Sequence, residues 1–325
     1  MNVTRRTTLK AIAAGSCGAL PLLAHAQDDS SPITIVVGAP TAMDSTARLV
    51  ADSMRESLKR PAIVVQKFGA GQRLALAEVK RAAPDGRTLV FTTSTVFTLY
   101  PHLYTRLDYD GEADFTPIAG IAKFEMAVAV PASGPKDYAQ LIESLRRQGD
   151  GASFATAPGI GSLPHFIGSA MGIHHGLKMT HVPYNTSVTG LSDLIAGRLP
   201  MLITGYPALI ELYRAGRIKV LAVTGDARDP RAPEIPTFNE VGFKIRGTTT
   251  MGVFGPAKMP PELVNKLYGA VQPMFKSAAI REKLEMQSLS FSPMSPAEMT
   301  AAMRIERKVL GDVVKASGYV PQAPN

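Results

Sequence analysis

From residue 33 onward, short β-branched runs alternate with stretches whose apolar residues recur at helical spacing. That alternation confines the chain to the α/β class with parallel strands. Ile33-Thr34-Ile35-Val36-Val37 reads as a strand, and Ala47, Val50, Ala51, Met54 and Leu58 then mark one helix face. A strand over 62–66, a helix over 74–82, the turn Ala83-Pro84-Asp85-Gly86 and a strand over 88–92 complete a first set. A second set follows, with strands over 152–156, 179–182, 201–204 and 219–224. Its helical stripes are Tyr138, Leu141, Ile142 and Leu145; Leu163, Phe166, Ile167, Ala170 and Met171; and Val188, Leu191 and Ile195. Beyond Pro260 the pattern is helical over 263–275, 277–286 and 296–316. Two longer strands, 124–130 and 248–254, have no crossover helix of their own, and each leads into a Pro. They read as two crossings between lobes, the first lobe comprising 27–127 plus 251–325 and the second 128–250. Two crossings make a hinge and leave a cleft, the kind of place where pockets form.

The N-terminus carries an address. Thr4-Arg5-Arg6-Thr7-Thr8-Leu9-Lys10 precedes an apolar stretch over 11–24, and Ala24-His25-Ala26 supplies small residues for cleavage. The stretch is too short to remain as a membrane span. The Arg pair resembles a twin-arginine signal, with ordinary Sec export as the rival reading. A lipoprotein reading through Cys17 is disfavoured because Ala14 stands where such signals carry Leu. Removal of residues 1–26 near Ala26 discards Cys17, the chain's one cysteine, so disulfide and thiol chemistry leave with it. The expected location is the periplasm. The full chain has 325 residues and a formal net charge of +8, but Arg5, Arg6 and Lys10 of that leader are unmatched by any acid. The remaining surplus is mild, and no Lys/Arg run interleaved with aromatics supports nucleic-acid binding.

Several ordered motifs then agree with one family. Arg48-Leu49-Val50, Gly69-Ala70-Gly71, Arg81-Ala82-Ala83-Pro84-Asp85-Gly86 and Pro101-His102-Leu103-Tyr104 are followed by His181-Val182-Pro183-Tyr184, Leu194-Ile195-Ala196-Gly197, Arg214-Ala215-Gly216, Leu221-Ala222-Val223-Thr224 and Ile235-Pro236-Thr237. In that order they resemble the extracytoplasmic solute receptors of tripartite tricarboxylate transporters, the Bug family. The resemblance covers nearly the whole chain beyond the leader. It implies a two-lobe periplasmic binding protein, a type II-like Venus flytrap with two hinge crossover strands, that closes on a small carboxylate and presents it to membrane permease subunits. A monomer without cofactor is expected. Three departures concern the ligand. The family's Pro-Pro-Gly-Gly-Gly loop appears as the shorter Gly38-Ala39-Pro40-Thr41-Ala42-Met43-Asp44, its Gly-Gly-Asn appears as Gly71-Gln72-Arg73, and its Val-Asp reads Leu199-Pro200.

Loops that leave strand ends and open helices expose unpaired backbone N–H groups, which suit an anion. Four are expected here, over 38–46, 92–95, 157–162 and 185–189. From them the candidate ligand contacts are Thr41, Thr93, Ser94, Thr95, Gly159, Gly161, Ser162, Asn185, Thr186 and Ser187. Ser162 also suits a plain N-cap of the following helix. Arg73 is a candidate bidentate grip on a carboxylate, and an exposed surface Arg is the competing reading. Asp44 can receive an amine or hydroxyl, though capping a helix from Ser45 is favoured. Phe68, Phe97, Tyr100 and Tyr206 can wall a pocket for an aromatic acid or simply pack the core. His174-His175 point to different helix faces and lack a partner with ligand spacing, so no metal is expected.

An enzyme is not expected. Gly159-Ile160-Gly161-Ser162-Leu163 is not a nucleophile elbow, and no Walker-type loop or Rossmann fingerprint is present. A receptor that signals to a membrane sensor without transport remains the alternative role.

Overall fold

The computed structural model describes residues 31–39, 42–225, 227–245 and 247–323. The leader of residues 1–26, and with it the cleavage site, lies outside the described residues, as does Thr41. The chain begins with β1 (Ile33–Val37), α1 (Ala42–Leu58), β2 (Ala62–Gln66), α2 (Arg73–Lys80), β3 (Thr88–Thr93) and the short α3 (Thr95–Thr98). It continues through β4 (Phe115–Pro131), α4 (Tyr138–Gln148), β5 (Ser153–Ala157), α5 (Leu163–His175), β6 (Thr180–Pro183), α6 (Ser187–Ile195), β7 (Leu202–Gly205), α7 (Ile210–Arg214) and β8 (Ile218–Val223). Then come β9 (Thr248–Pro256), α8 (Pro261–Phe275), α9 (Ala278–Met286), β10 (Ser290–Met294) and α10 (Pro296–Ala316).

The strands run in the order β2-β1-β3-β9-β4-β7-β5-β6, with β8 and β10 also paired to β4. β1, β2 and β3 are mutually parallel, as are β5, β6 and β7. Between these blocks lie β9, which pairs with β3, and β4, which pairs with β9 and β7. The 17-residue β4 pairs antiparallel with β9 from Phe115 to Glu125, then with β7 and β8 from Met126 onward. The partnership changes between two adjacent residues, so one strand belongs to two half-sheets.

Strand parity divides the core cleanly. In the first half, Ile33, Ile35, Val37, Leu89 and Phe91 face α1 and α8, while Val36 and Val90 face α2, α3 and the start of α10. In the second half, Met126, Val128 and Val130 face α4 and α5, while Ala127 and Ala129 face α6 and Tyr206. Burial on both faces is what parallel sheets require.

Besides the short helices α3 and α7, the first half of β4 and the strand β10 escaped the sequence pattern. β4 starts nine residues before the expected Phe124, because Pro117 and Gly120 break the strand signal. The ladder tolerates them at irregular points: the β4–β9 register shifts between Pro117 and Ala119 and again between Gly120 and Ala122. β10 reads Ser-Phe-Ser-Pro-Met, too polar for a core strand, and it pairs only with β4.

α10 links the two halves. Its 21 residues span about 30 Å. Met299 and Met303 pack in the first half with Phe97 and Phe254, whereas Leu310 and Val314 pack in the second with Phe166 and Ile167. A Ser295–Glu298 capping box opens the helix. Gly252 lets it lie close, since a Cβ there would stand 2.4 Å from Met299 Cε and 2.6 Å from the Ala119 carbonyl oxygen. Leu310 is 1 % exposed and Ile305 on the same helix 68 %. Leu310→Ala is therefore expected to cost about 2–5 kcal/mol in denaturant unfolding, and Ile305→Ala no more than about 0.5 kcal/mol.

Candidate functional site

Ligands of open parallel sheets gather beyond the carboxyl ends of the strands, and here those ends carry hydroxyls and glycines in both halves. In the first half, the 69–72 loop adopts positive φ at four consecutive residues: Gly69 (133°), Ala70 (45°), Gly71 (60°) and Gln72 (72°). For Ala70 and Gln72 this costs on the order of 1 kcal/mol each. The conformation is held by side-chain bonds. Gln72 Oε1 accepts from Thr92 Oγ1 at 2.8 Å and its Nε2 donates to Thr93 Oγ1 at 3.1 Å, while Tyr100 donates its hydroxyl to the Gly71 carbonyl at 3.0 Å. Gly38 at the end of β1 is required by this packing, because a Cβ there would meet Gln72 Cβ at 2.7 Å.

Thr93 Oγ1 lies 2.9 Å from Thr95 Oγ1, so these two hydroxyls form a pair backed by Gln72. Ser94, between them, points the other way. It is fully buried, donates to Glu306 Oε1 at 2.8 Å and accepts from the Thr250 amide at 3.1 Å. Arg73 opens α2, donates its Nε to the Ala70 carbonyl at 2.8 Å and lays its guanidinium over the Tyr104 ring at 5.1 Å. Asp44 does not cap a helix beginning at Ser45, since α1 starts at Ala42. It lies inside the first turn, where a carboxylate complements the helix dipole. Hydrogen bonding from Gln66 holds it below the usual carboxylate range, with Arg48 adding to the effect.

In the second half, Ser187 Oγ lies 2.9 Å from Thr204 Oγ1, which donates to the Ala157 carbonyl at 2.6 Å. That chain draws the ends of β5 and β7 and the start of α6 together. Thr186 is the N-cap of α6, accepting from the Thr189 amide, and Asn185 beside it is exposed. Gly159 sits against Pro183, where a Cβ would come within 2.7 Å. Ser162 caps α5: its hydroxyl accepts from the His165 amide at 3.4 Å and donates toward the Pro158 and Gly159 carbonyls at 2.5 and 2.7 Å. The Gly161 amide donates to His165 Nδ1 at 3.3 Å, and Pro164 lacks an N–H. Much of the donor capacity at this helix start is thus spent within the loop. Gly161 itself faces the first half, close to Leu103 and the Tyr104 hydroxyl.

The loops thus hold two hydroxyl pairs, Thr93/Thr95 and Ser187/Thr204, while Arg73, Tyr104 and Gly161 make a contact of their own. Tyr206 stands apart, 1 % exposed among Leu209, Ile210 and Ala127. Phe97 is likewise core, packed with Tyr109, Phe115 and Phe254. His175 bonds the Tyr138 hydroxyl at 3.0 Å and His174 packs on Phe243. A cavity of about 690 Å³ lies elsewhere, lined by α4 together with His175, Glu234 and Val241, and none of the loop residues lines it. Sequence reasoning missed Gln72, Tyr104 and Glu306. The first stood in a motif read for its neighbour Arg73, while the others lie in segments without a loop signature.

Beneath the Gly161 loop, His165 and His181 stack at 4.1 Å, with His181 Nε2 2.7 Å from Thr156 Oγ1. Burial first, and His165 second, push His181 down to about 4, so the ring is neutral at pH 7. From its ordinary value of 6.5 down to about 4, the unfolded chain binds the extra proton and the fold does not. Stability therefore falls on acidification across that window. The melting temperature is expected to drop between pH 7 and 4.5, and less steeply in His181→Gln.

Residues 46–318 match the family profile described as the tripartite tricarboxylate transporter family receptor. A UPF0065 protein of Pseudomonas sp. strain P51 is 30 % identical over 274 residues, covering 82 % of this chain and 80 % of the relative. The structure of R. palustris Rpa4515 with adipate superposes with TM-score 0.82 at 27 % identity, covering 90 % of this chain and 99 % of that one. MatC from Rhodopseudomonas palustris, with bound malate, gives TM-score 0.78 at 24 % identity over 87 % of this chain and 98 % of that one, a likeness of fold. Other solved neighbours are periplasmic binding proteins, among them BugD at TM-score 0.79. The fold is thus that of two-lobe periplasmic receptors, which capture solutes rather than transform them.

Proposed function

The chain belongs to the tripartite tricarboxylate transporter receptor family, and we propose that it captures a small carboxylate between its two lobes and delivers it to the permease subunits of such a transporter. The observation that carries this reading is the contact of Arg73 with Tyr104, whose hydroxyl lies beside Gly161 of the loop before α5, with each half-sheet carrying a hydroxyl pair at its own strand ends. Hydroxyls and main-chain amides suit a carboxylate because they donate to it without burying a fixed charge against it. Adipate in a neighbour of 27 % identity, and malate in a more distant one, support an aliphatic dicarboxylate as the substrate class.

In this reading the lobes are residues 27–127 with 251–325 and residues 128–250, and β4 and β9 are the hinge. The change of partner at Glu125 and Met126 supports that division, because a bend there breaks few hydrogen bonds of either half-sheet. The ligand-contacting set is Thr41, Asp44, Arg73, Thr93, Thr95, Gly159, Gly161, Asn185, Thr186 and Ser187. Ser94 and Ser162 hold the loops from behind, and Tyr206 packs in the core. The protein works as a monomer in the periplasm after loss of its leader near Ala26, without a cofactor.

Binding to the native state raises its melting temperature by mass action. A thermal-shift series over adipate, malate, benzoate and glutamate is expected to show a larger rise with adipate or malate than with the aromatic acid or the amino acid, accompanied by a smaller radius of gyration in solution scattering. No shift with any member, or a radius that ignores the ligand, overturns the reading. Arg73→Ala is expected to weaken dicarboxylate binding on the order of tenfold by calorimetry.

A further inference from the structure

One acid interrupts the apolar stripe of α10. Met299, Met303, Leu310 and Val314 are all buried at helical spacing, and Glu306 occupies the same face between the part of the helix packed on the first half and the part packed on the second. Its Oε1 accepts from Ser94 Oγ at 2.8 Å and from Thr98 Oγ1 at 3.2 Å. Burial pushes the carboxyl up to about 7, with the two hydroxyls opposing. A carboxyl placed so is costly, and an apolar residue of similar size would serve packing better.

What the acid grips indicates its use. Ser94 lies between Thr93 and Thr95, whose hydroxyls form the first-lobe pair. Ser94 also exchanges two bonds with Thr250 of β9, its amide donating to the Thr250 carbonyl at 2.7 Å and its hydroxyl accepting from the Thr250 amide. Glu306 thus reaches, through one serine, both the hydroxyl pair and a crossing strand. We propose that Glu306 is a positioning residue: from the helix shared by both halves it locks Ser94, and so sets the Thr93 and Thr95 hydroxyls for the ligand carboxylate.

This rests on the carboxylate-receptor reading given above, and the test separates the two. Glu306→Gln keeps an acceptor oxygen for Ser94 and Thr98; Glu306→Met keeps the volume and removes the acceptor. Adipate affinity is expected to fall about tenfold in Glu306→Met, with denaturant stability equal to or above that of the parent, and to return to within about twofold in Glu306→Gln. Amide hydrogen exchange over 92–98, measured without ligand, is expected to quicken in the Met variant only. A Met variant with parental exchange over 92–98 overturns the proposal, as does one whose affinity loss only tracks a loss of global stability. If the parent binds no dicarboxylate, the receptor reading fails, and the exchange measurement alone decides the role of Glu306.

Discussion

The change of hydrogen-bond partners along β4 is the constraint on which the rest of the molecule depends. One continuous strand pairs with β9 and β10 and then, from Met126, with β7 and β8. Each half-sheet buries both of its faces in apolar clusters, one of which also takes in Leu99, Leu103, Leu310 and Val314. Few ladder bonds cross the line between them. The two half-sheets are thus joined through one continuous strand, β4.

The two halves are not independent, however. α10 places Met303 in one cluster and Leu310 in another, and the 99–104 segment behaves likewise, with Leu99 and Leu103 buried beside Phe166. Apolar burial along these segments therefore ties the two half-sheets together.

The first-lobe loop illustrates how a departure from family pattern is accommodated. Where the resemblance leads one to expect a Gly-Gly-Asn loop, Gln72 supplies a carboxamide that ties Thr92 to Thr93. Its bonds offset the strain of left-handed backbone at a residue with a Cβ. The residue after it, Arg73, lays its guanidinium over the Tyr104 ring, so the replaced motif places a cation there.

Local chemistry made most elements legible. The 296–316 helix and the β1 and β2 strands lie where the apolar period places them, because period and capping act within a few residues. The hydroxyl loops after β3 and before α6 were legible for the same reason. Others depended on distance. β10 and the first half of β4 form only because partners far along the chain satisfy their backbone groups around Pro117 and Pro293. Ser94 and Ser162 look alike in sequence to ligand hydroxyls, yet one bonds Glu306 of α10 and the other its own loop. The sequence by itself determined the α/β alternation, the family and the loops that carry the hydroxyls. Only the tertiary structure decided which hydroxyls remain for a ligand, because hydrogen-bond capacity is allotted by neighbours in space, more than 200 residues away for Ser94 and Glu306.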